Sequence, residues 1–519
     1  MSGILRNLWR CILGPKLYTI YGNPMERYTP NTLENMGNRV IQGLYVIYSV
    51  GVYASPVCVL CAYRWENAYT HIRSALKVCA YVGLLLALAY TVRGVGRLMN
   101  STYMKFMFTL TKLQYAHRPS RKEMEILRKY DFEFFAWPVN FDVSDAKQKP
   151  LQPIAEEVSE REKVGYLSLS TAYMLVTLVG RPLIYPGSVG ILQYLIGDFL
   201  LKGRERLVKE FNGERNKIKT QEGNSIDTIF IDRRNSSQVE GKKLVICCEG
   251  NAGFYEIGLI TTPLDKGYSI LGWNHPGFAG SNGQPYPQQE RNAVVAVMQF
   301  ATHTLGYKQQ DILVYGWSIG GYTATYAARV YPKIAGLILD ATFDCVLPLA
   351  VQRMPQLLSP IVNVAIKTHF NLNNAVQLTH YPGPVCIIRR TRDEIITTDE
   401  NELDCNRSCD LLMSLLESRF PGLLCNASRH TLQQYLAIDP SLQESLLQDC
   451  NVDKDQSLSL IKAQMNLSEP FINLSDEEKV PLLLFLASKY LVDFNSTHNN
   501  PLDPHLFNPP WTALNLKDD

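Results

Sequence analysis

Two long stretches near the start of the chain carry no charge. No charged residue occurs between Arg39 and Arg64, and residues 43–63 suffice to cross a bilayer core at about 1.5 Å per helical residue. A second uncharged run, residues 78–92, is shorter, but Lys77 and Arg93 at its ends can extend to the interface. The pattern predicts a transmembrane helical hairpin, with two buried helices of a soluble bundle as the alternative.

A third apolar zone covers residues 164–201. Arg181, Pro182, Pro186 and Asp198 interrupt it, so it is too broken for a membrane span. We interpret it as a membrane-surface or docking structure, and a buried helical hairpin fits equally well. The charged, proline-containing residues 112–163 before it are typical of a linker.

From about residue 225 the pattern changes to short β-rich runs separated by helical periodicity. The expected strands cover residues 226–231, 243–248, 268–273, 311–315, 335–339 and 384–389. Such alternation predicts an α/β fold, a mostly parallel sheet with helices on both faces. The functional site should then lie at the carboxyl ends of the strands.

These patterns divide the chain into four parts. We expect a cytosolic leader at residues 1–39, two transmembrane helices at 40–97, a linker and membrane-associated helical region at 98–224, and a catalytic domain at 225–519. The catalytic domain contains a helical insertion at about 400–478, which we interpret as a lid over an apolar acyl pocket. A peripheral helical decoration is the alternative for this insertion.

Composition narrows the class of protein. Of 519 residues, 46% are hydrophobic and 19% charged, which excludes a disordered polyelectrolyte. The formal net charge of +2 supplies no bulk attraction to nucleic acid, so nucleic acid is not an expected partner. The 12 scattered cysteines are expected to be reduced, and the spacing of Cys58 and Cys61 is a poor indication of a metal or redox site.

Charge around the two apolar runs predicts their orientation. Basic residues are more frequent before and after the hairpin than in the connection between its helices, so both flanks should stay cytosolic. The chain is therefore expected to be an integral, multi-pass membrane protein with its sheet region in the cytosol. The seven N-x-S/T sequons would then remain unmodified.

The most specific motif is Gly316-Trp-Ser-Ile-Gly320. It follows the strand-like run 311–315 and precedes a helical pattern at residues 322–330, which is the strand–turn–helix setting of a nucleophile elbow. Ser318 is the expected nucleophile, exposed at a helix N-terminus that stabilises negative charge. A turn serine that caps its helix is the alternative.

A serine nucleophile needs a base and an orienting carboxylate, which in this setting follow it in the order Ser, Asp, His. Asp393 lies just past the run 384–389 and is the expected acid, with Asp340 as the rival and Glu394 expected in solvent. Three histidines follow Asp393. His498, in the loop after the helical run 480–494, is the expected base, and the alternatives His430 and His505 stay open.

The oxyanion hole needs two backbone N–H groups. One is that of Ile319, directly after the nucleophile. The other should come from the small-residue turn after the run 243–248, with Asn251 and Ala252 as candidate donors. Many enzymes of this kind have histidine where Glu249 stands, and a plain strand–turn connection is the alternative.

Four motifs in order carry a family resemblance. They are Cys248-Glu-Gly-Asn-Ala-Gly-Phe-Tyr255, Trp273-Asn-His-Pro-Gly-Phe278, the Ser318 motif, and Arg389-Arg-Thr-Arg-Asp-Glu-Ile-Ile396. The chain resembles the α/β-hydrolase domain-containing protein 16A family of membrane-bound phosphatidylserine lipases, and the similarity extends from Leu13-Gly-Pro-Lys-Leu-Tyr18 to Pro509-Pro-Trp511.

The resemblance implies an α/β-hydrolase fold and hydrolysis of phosphatidylserine to lysophosphatidylserine and a fatty acid at the endoplasmic reticulum. It also implies monoacylglycerol as a second substrate, and it carries Ser318 and Asp393 over directly. A serine mechanism needs neither a metal nor an organic cofactor. The partners implied are membrane lipids, and the sequence names no protein partner.

Three alternatives remain open at this stage. His498 and Asp503 have the H-x4-D spacing seen in acyltransferases, although such a pair arises easily by chance. Thioesterase action would use the same three residues, and a non-catalytic membrane scaffold would use none of them. No motif indicates the head-group preference. Arg390, Arg392 and Lys367 are basic candidates, and the alternative is that they are solvated or paired with carboxylates.

Overall fold

The computed structural model describes residues 2–62, 68–114, 121–146, 166–399 and 401–510. The chain forms two compact units. The first unit comprises Met1–Asn140 and Val189–Lys217, and the sheet unit comprises Phe141–Ser188 and Ile218–Asp519. The four-part division expected from the sequence remains a prediction, because the units follow spatial contacts rather than changes in composition.

The first unit is mainly helical. A small antiparallel sheet has the order β2-β1-β3, formed by Leu17–Ile20 (β1), Glu26–Arg27 (β2) and Tyr130–Phe132 (β3). An aromatic core that includes Tyr103, Phe106 and Trp137 lies beside it. The helices of this unit are Ser2–Leu13, Thr32–Ala62, Ala68–Met99, Ser101–Gln114, Arg121–Leu127 and Gly190–Phe211.

The two apolar runs lie on two long helices, Thr32–Ala62 and Ala68–Met99, which pack antiparallel. A Cβ added to Gly37 would lie 2.7 Å from the carbonyl oxygen of Ala89, and one added to Gly96 would lie 2.4 Å from the amide nitrogen of Glu34. The start of the first helix therefore touches the end of the second, and glycine allows this approach.

One helix in the described part of the chain, Arg73–Met99, is long and apolar enough to cross a membrane. This finding rests on length and composition alone, so the expected hairpin remains a prediction. Tyr63 and the side chains of Cys58 and Cys61 lie outside the described residues.

The sheet unit is built on the expected parallel sheet. Strands β6 to β12 stand in the order β12-β11-β10-β9-β7-β8-β6, with β6 antiparallel to β8 and the other pairs parallel. Beyond this set, Ile218 and Lys219 at the end of Glu214–Lys219 (β5) pair with Phe141–Asp142 (β4). The seven strands are Ser225–Ile231 (β6), Leu244–Cys248 (β7), Ser269–Trp273 (β8), Ile312–Trp317 (β9), Gly336–Asp340 (β10), Val385–Arg390 (β11) and Leu491–Phe494 (β12).

All six strands expected from the sequence are present, and their ends differ from the prediction by at most two residues. The expected helical run 480–494 was wrong at its end. The helix Asp476–Tyr490 stops, and β12 follows and pairs in parallel with β11. An ion pair of 2.6 Å between Arg389 Nε and Asp493 Oδ1 joins the two strands. Pairing with a neighbouring strand thus overrides the helical periodicity.

Helices cover the sheet and fill the expected insertion. The helix Arg407–Arg419 buries Leu411, Leu412 and Leu415 in the main hydrophobic core. These three leucines pack in the core and do not bear on the lid role of the insertion. That role remains a prediction. The α-helices are Tyr166–Leu175, Arg181–Ile184, Thr261–Asp265, Pro287–Gln299, Gly320–Val330, Leu347–Gln352, Ser359–His369, Asn374–Leu378, Arg407–Arg419, Asn426–Ala437, Pro440–Asp449, Lys454–Met465 and Asp476–Tyr490.

Close packing between β7 and the helix Gly320–Val330 requires glycine at position 320. A Cβ there would lie 2.1 Å from the carbonyl oxygen of Cys248 and 2.4 Å from that of Glu249. Both are backbone atoms in the buried centre of the unit and cannot move independently. The helix therefore starts directly against the end of β7.

We expect Gly320→Ala to destabilise the sheet unit by about 3 kcal/mol, the upper end of the usual cost of overpacking. The measurement is the thermal midpoint of the detergent-solubilised protein. Gly180→Ala is the matched control, because the nearest atom to a Cβ at Gly180 is 3.8 Å away, an ordinary contact. Equal midpoints for the two variants would contradict the close packing at Gly320.

Candidate active site

Ser318 lies in a sharp turn between β9 and the helix Gly320–Val330. Its φ angle is +54°, a left-handed conformation that costs energy for a residue with a side chain. The turn is held because Ser318 N–H donates to the carbonyl of Asp340 at 2.9 Å and Thr342 Oγ1–H donates to the carbonyl of Ser318 at 3.0 Å. The strained turn places the Ser318 hydroxyl at the carboxyl edge of the sheet. The strand–turn–helix geometry is the one that the motif predicts.

Ser318, His498 and Asp393 form one chain of hydrogen bonds. The Oγ of Ser318 lies 2.9 Å from Nε2 of His498. Nδ1 of His498 lies 2.8 Å from Oδ2 and 2.9 Å from Oδ1 of Asp393. All three residues are buried. The structure thus brings together the three residues that the sequence singled out, although they are separated by up to 180 positions.

The hydrogen-bond partners define the protonation of His498. Since the Asp393 carboxylate only accepts, Nδ1 of His498 carries the proton and donates it. Nε2 is then free to accept from the Ser318 hydroxyl. Asp393 is itself oriented by the backbone N–H groups of Ile395 and Ile396, which both donate to Oδ1 at 2.9 Å. This is the arrangement in which a histidine can remove a proton from serine.

A buried arginine holds the loop that carries His498. Nη1 of Arg390 donates to the carbonyl oxygens of Thr497 at 2.9 Å and His498 at 2.8 Å, and also to that of Asn500. Trp317 Nε1–H donates to the same His498 carbonyl at 3.3 Å, and the two rings are in contact. The loop is therefore shaped around one guanidinium.

Glu394 also contacts this loop and does not simply face solvent as expected. Its Oε2 accepts the backbone N–H of His498 at 3.1 Å. Glu394 therefore helps to position His498, the residue that Asp393 contacts.

Asp340, the rival acid, has a different set of partners. Its carboxylate accepts from Nε and Nη2 of Arg390 at 2.9 and 2.7 Å and from the Tyr315 hydroxyl at 3.1 Å. This buried ion pair joins β10 to β11 and excludes Arg390 as a surface head-group ligand. The Asp340 carboxylate therefore acts on the His498 loop through the Arg390 side chain, while its backbone carbonyl holds Ser318.

The rival histidines lie away from Ser318. His430 is exposed on the helix Asn426–Ala437. His505 is exposed and pairs with Asp503, whose Oδ1 is 2.6 Å from Nδ1 of His505. That pair also uses the aspartate of the H-x4-D spacing, so Asp503 is engaged with His505 rather than with His498.

The candidate oxyanion donors lie around the same turn. Within the described ranges, the backbone N–H of Ile319 donates to no other backbone or side-chain group, and the same holds for Asn251 and Ala252. The loop that carries Asn251 and Ala252 directly follows β7, whose end touches Gly320. These N–H groups remain expected donors for a developing oxyanion.

Glu249, at the base of this loop, is fully buried. Its carboxylate accepts the backbone N–H of Leu259 at 3.1 Å. Burial raises the pKa of Glu249 to about 7, and the hydrogen bond and nearby His275 oppose this rise. The carboxyl group is therefore costly to ionise in the folded protein, which makes the stability of this loop depend on pH.

A second histidine–carboxylate pair supports the loop. Nδ1 of His275 lies 2.7 Å from Oε2 of Glu290, and Nε2 lies 2.9 Å from the backbone carbonyl of Glu249. A carboxylate and a carbonyl both accept hydrogen bonds, so these partners favour the imidazolium form of His275, which can donate from both ring nitrogens. Burial lowers the pKa of His275, but Glu290 and the Glu249 carbonyl outweigh it and raise the pKa overall.

The segment before the helix Gly190–Phe211 also reaches the loop from within the sheet unit. Gly187 N–H donates to the carbonyl of Asn251 at 3.1 Å, and the Tyr185 ring contacts the ring of His275. The backbone of the loop is held from two sides.

Sequence reasoning missed these supporting residues. Arg390 stands in the motif that contains Asp393. Pairing with a carboxylate is one of the states expected for it, and the ion pair with Asp340 confirms that state, but its hold on the His498 loop is not expected from the sequence. His275 stands in Trp273-Asn-His-Pro-Gly-Phe278, a motif that indicates no role for it. Glu290 belongs to a helix with no motif of its own. Its partnership with His275 depends on tertiary packing and left no signal in the sequence.

Two family models match the chain. The phosphatidylserine lipase ABHD16 N-terminal domain matches residues 6–133, and the alpha/beta hydrolase fold matches residues 243–409. Among curated proteins, phosphatidylserine lipase ABHD16A of Homo sapiens is 39% identical over 562 residues, which covers 98% of this chain and 100% of the relative. The Mus musculus protein of the same name is 38% identical with the same coverage. These matches confirm the resemblance carried by the four motifs.

Solved structures are similar over a smaller part of the chain. The esterase Pf2001 of Pyrococcus furiosus is 16% identical, covers 40% of this chain and 78% of its own, and has a TM-score of 0.31. An alpha-beta hydrolase from Vibrio vulnificus is 14% identical, covers 49% of this chain and 79% of its own, and also has a TM-score of 0.31.

We expect Arg390→Met to lower the stability of the folded protein by about 3–5 kcal/mol, because it leaves Asp340 as an uncompensated buried charge. The measurement is the thermal midpoint of the detergent-solubilised protein. Arg392→Met is the matched control, since Arg392 is exposed. A midpoint for Arg390→Met equal to that of Arg392→Met would show that the ion pair does not hold β10, β11 and the His498 loop.

We expect Glu249→Gln to stabilise the protein more at pH 8 than at pH 5. The raised pKa means that the folded state binds a proton between pH 4.5 and 7 that the unfolded state has released, so wild-type stability falls as pH rises through this window. Glutamine cannot ionise and avoids a loss of about 3 kcal/mol, at about 1.4 kcal/mol per pKa unit. The check is the difference in thermal midpoint between variant and wild type against pH, with exposed Glu240→Gln as control. A difference that does not change with pH would contradict the raised pKa.

Proposed function

Since the chain belongs to the ABHD16 phosphatidylserine lipase family, we propose that it is a membrane-bound serine hydrolase that cleaves an acyl ester of phosphatidylserine. The products are lysophosphatidylserine and a fatty acid. Monoacylglycerol is a second substrate in this proposal, and the site of action is the endoplasmic reticulum with the sheet unit in the cytosol. The chain is then an integral, multi-pass membrane protein anchored by the hairpin of residues 40–97.

One observation carries the proposal, the uninterrupted hydrogen-bond chain from Ser318 Oγ through His498 to Asp393. A serine hydroxyl is a weak nucleophile at neutral pH and reacts only when a base removes its proton. A buried histidine with Nδ1 bonded to a carboxylate and Nε2 facing the hydroxyl supplies that base. A turn serine that merely capped its helix would not need these partners.

The proposed reaction has two steps. Ser318 Oγ attacks the ester carbonyl carbon while Nε2 of His498 takes the serine proton, and the tetrahedral oxyanion is stabilised by the N–H groups of Ile319 and of Asn251 or Ala252. His498 then gives its proton to the departing glycerol oxygen, which releases lysophosphatidylserine and leaves an acyl-serine. Water, deprotonated by His498, attacks the acyl-serine and frees the fatty acid and Ser318. No step requires a metal or organic cofactor.

The segment of the sheet unit that leads to the oxyanion loop presents an apolar surface. Between residues 166 and 184 it exposes Tyr173, Met174, Leu178, Val179 and Leu183. A few residues later Gly187 donates to the carbonyl of Asn251. Exposed apolar side chains on a segment that contacts the oxyanion loop fit a substrate that comes from a membrane. We propose that this surface contacts lipid, as the sequence pattern of residues 164–201 suggests.

The test is to express the full chain and its variants in membranes and supply phosphatidylserine, other phospholipids and monoacylglycerol. Released lysolipid and fatty acid are quantified by mass spectrometry. We expect wild type to release lysophosphatidylserine. Ser318→Ala and His498→Gln should each lose about 10⁶-fold in rate, and Asp393→Asn about 10⁴-fold. His505→Gln and His430→Gln are the matched controls and should keep wild-type rates.

Other outcomes point to other functions. Loss of activity in His505→Gln or His430→Gln with His498→Gln active would assign the base elsewhere. Transfer of the acyl group to added lysolipid in place of water would indicate an acyltransferase, and cleavage of only acyl thioesters would indicate a thioesterase. If no lipid is cleaved and a fluorophosphonate does not label Ser318, the results would favour a non-catalytic membrane scaffold.

A further inference from the structure

The helix Ser2–Leu13 has an apolar stripe that faces away from the rest of the first unit. Leu5, Trp9 and Leu13 are spaced by four residues and therefore share one face of the helix. Their exposed fractions are 64%, 62% and 55%. Cys11, on the opposite face, is buried in the aromatic core of the unit. A stripe of large exposed apolar side chains of this kind marks a binding surface.

The stripe cannot turn inward, because the helix is fixed from its other side. Nη2 of Arg93 donates to the carbonyl of Ile12 at 2.9 Å, and Nη1 of Arg97 donates to the carbonyl of Gly14 at 2.7 Å. A Cβ added to Gly94 would lie 2.4 Å from Cγ1 of Ile12. The end of the helix is thus packed directly against the helix Ala68–Met99.

Arg97 is itself fully buried and firmly held. Its Nε lies 2.8 Å from Oε1 of Glu34, which is also fully buried. Glu34 accepts from the Tyr28 hydroxyl as well. Breaking a buried pair of this kind is costly, so the arginine that caps the helix Ser2–Leu13 does not move. The direction of the stripe is therefore a fixed property of the first unit.

The contact lies next to the apolar part of the helix Ala68–Met99. Between Leu76 and Leu88 that helix exposes large apolar side chains, and from Ala89 onward it is largely buried. Gly94 is six residues beyond Leu88, which is about 9 Å along a helix. The headgroup region extends about 5–8 Å beyond the hydrocarbon on each side of a bilayer. If this helix spans a membrane, the end of the helix Ser2–Leu13 docks at the outer edge of the headgroup region.

The residues of the stripe suit that depth. Trp9 is of the type enriched at membrane interfaces, and Leu5 and Leu13 supply apolar area. Arg6 and Arg10 follow Leu5 and Trp9 by one position, so a basic edge borders the stripe. Such an edge is attracted to acidic lipid headgroups.

We propose that the helix Ser2–Leu13 is an interfacial membrane helix, which lies on the bilayer with Leu5, Trp9 and Leu13 turned toward the boundary between headgroups and acyl chains. The inference rests on the proposed membrane-bound function, because it needs the helix Ala68–Met99 to be in the bilayer. It adds a surface contact to the membrane anchor. The partner is a lipid surface that contains acidic headgroups.

The test places a photoreactive benzoylphenylalanine at one position of the full chain, reconstituted in vesicles of phosphatidylcholine and phosphatidylserine. Position 9 replaces Trp9 with a residue of similar size. Leu84, 70% exposed on the helix Ala68–Met99, reports whether that helix is in lipid. Val239, 74% exposed on the sheet unit, is the matched apolar control. Covalent lipid adducts after irradiation are counted by mass spectrometry.

We expect positions 9 and 84 to give at least tenfold more lipid adducts than position 239. Adducts at 84 with position 9 no higher than 239 would overturn the interfacial helix and leave the membrane span intact. Adducts at neither 84 nor 9 would overturn both. Adducts of position 9 to a second copy of the chain, in place of lipid, would also overturn the inference, since protein would then cover the stripe.

Discussion

The buried guanidinium of Arg390 links the sheet to the loop that carries His498. Arg390 pairs with Asp340 on the neighbouring strand, and its remaining donors bind carbonyl oxygens between residues 497 and 500. A loop has no backbone hydrogen-bond ladder, so these carbonyl oxygens need another donor. A guanidinium provides several N–H groups in one fixed plane. The ion pair thus attaches the His498 loop to the rigid sheet. This attachment helps to hold Nε2 of His498 at 2.9 Å from Oγ of Ser318.

Two histidine–carboxylate pairs lie at the carboxyl edge of the sheet, and their surroundings give them opposite properties. His498 faces a hydroxyl with its second nitrogen, so this nitrogen can take a proton. His275 faces a carbonyl with its second nitrogen, so this nitrogen must already carry one. A histidine–carboxylate pair therefore suits a base at His498 and a fixed support for the oxyanion loop at His275.

Close backbone approach shapes both units. Gly320 lets the helix after Ser318 start against β7, and Gly94 and Gly96 let two segments of the first unit pack on the helix Ala68–Met99. In each case a Cβ would overlap its neighbour, so the contact depends on glycine rather than on favourable side-chain packing. In the sheet unit the result is a serine held in a strained turn, and in the first unit it is a helix held with its apolar stripe outward.

The sequence alone predicted six strands of the sheet unit, the Ser318 turn and the order of Ser318, Asp393 and His498. The six strands and the turn follow from local periodicity and from glycine and serine at short spacing. It left His430 and His505 as alternative bases and Asp340 as an alternative acid, because spacing along the chain does not give distances in space. Only the tertiary structure paired Asp340 with Arg390, ended the helix at Tyr490 to form β12, and joined His275 to Glu290. These features depend on contacts between distant segments, where burial and hydrogen-bond partners decide what a side chain does.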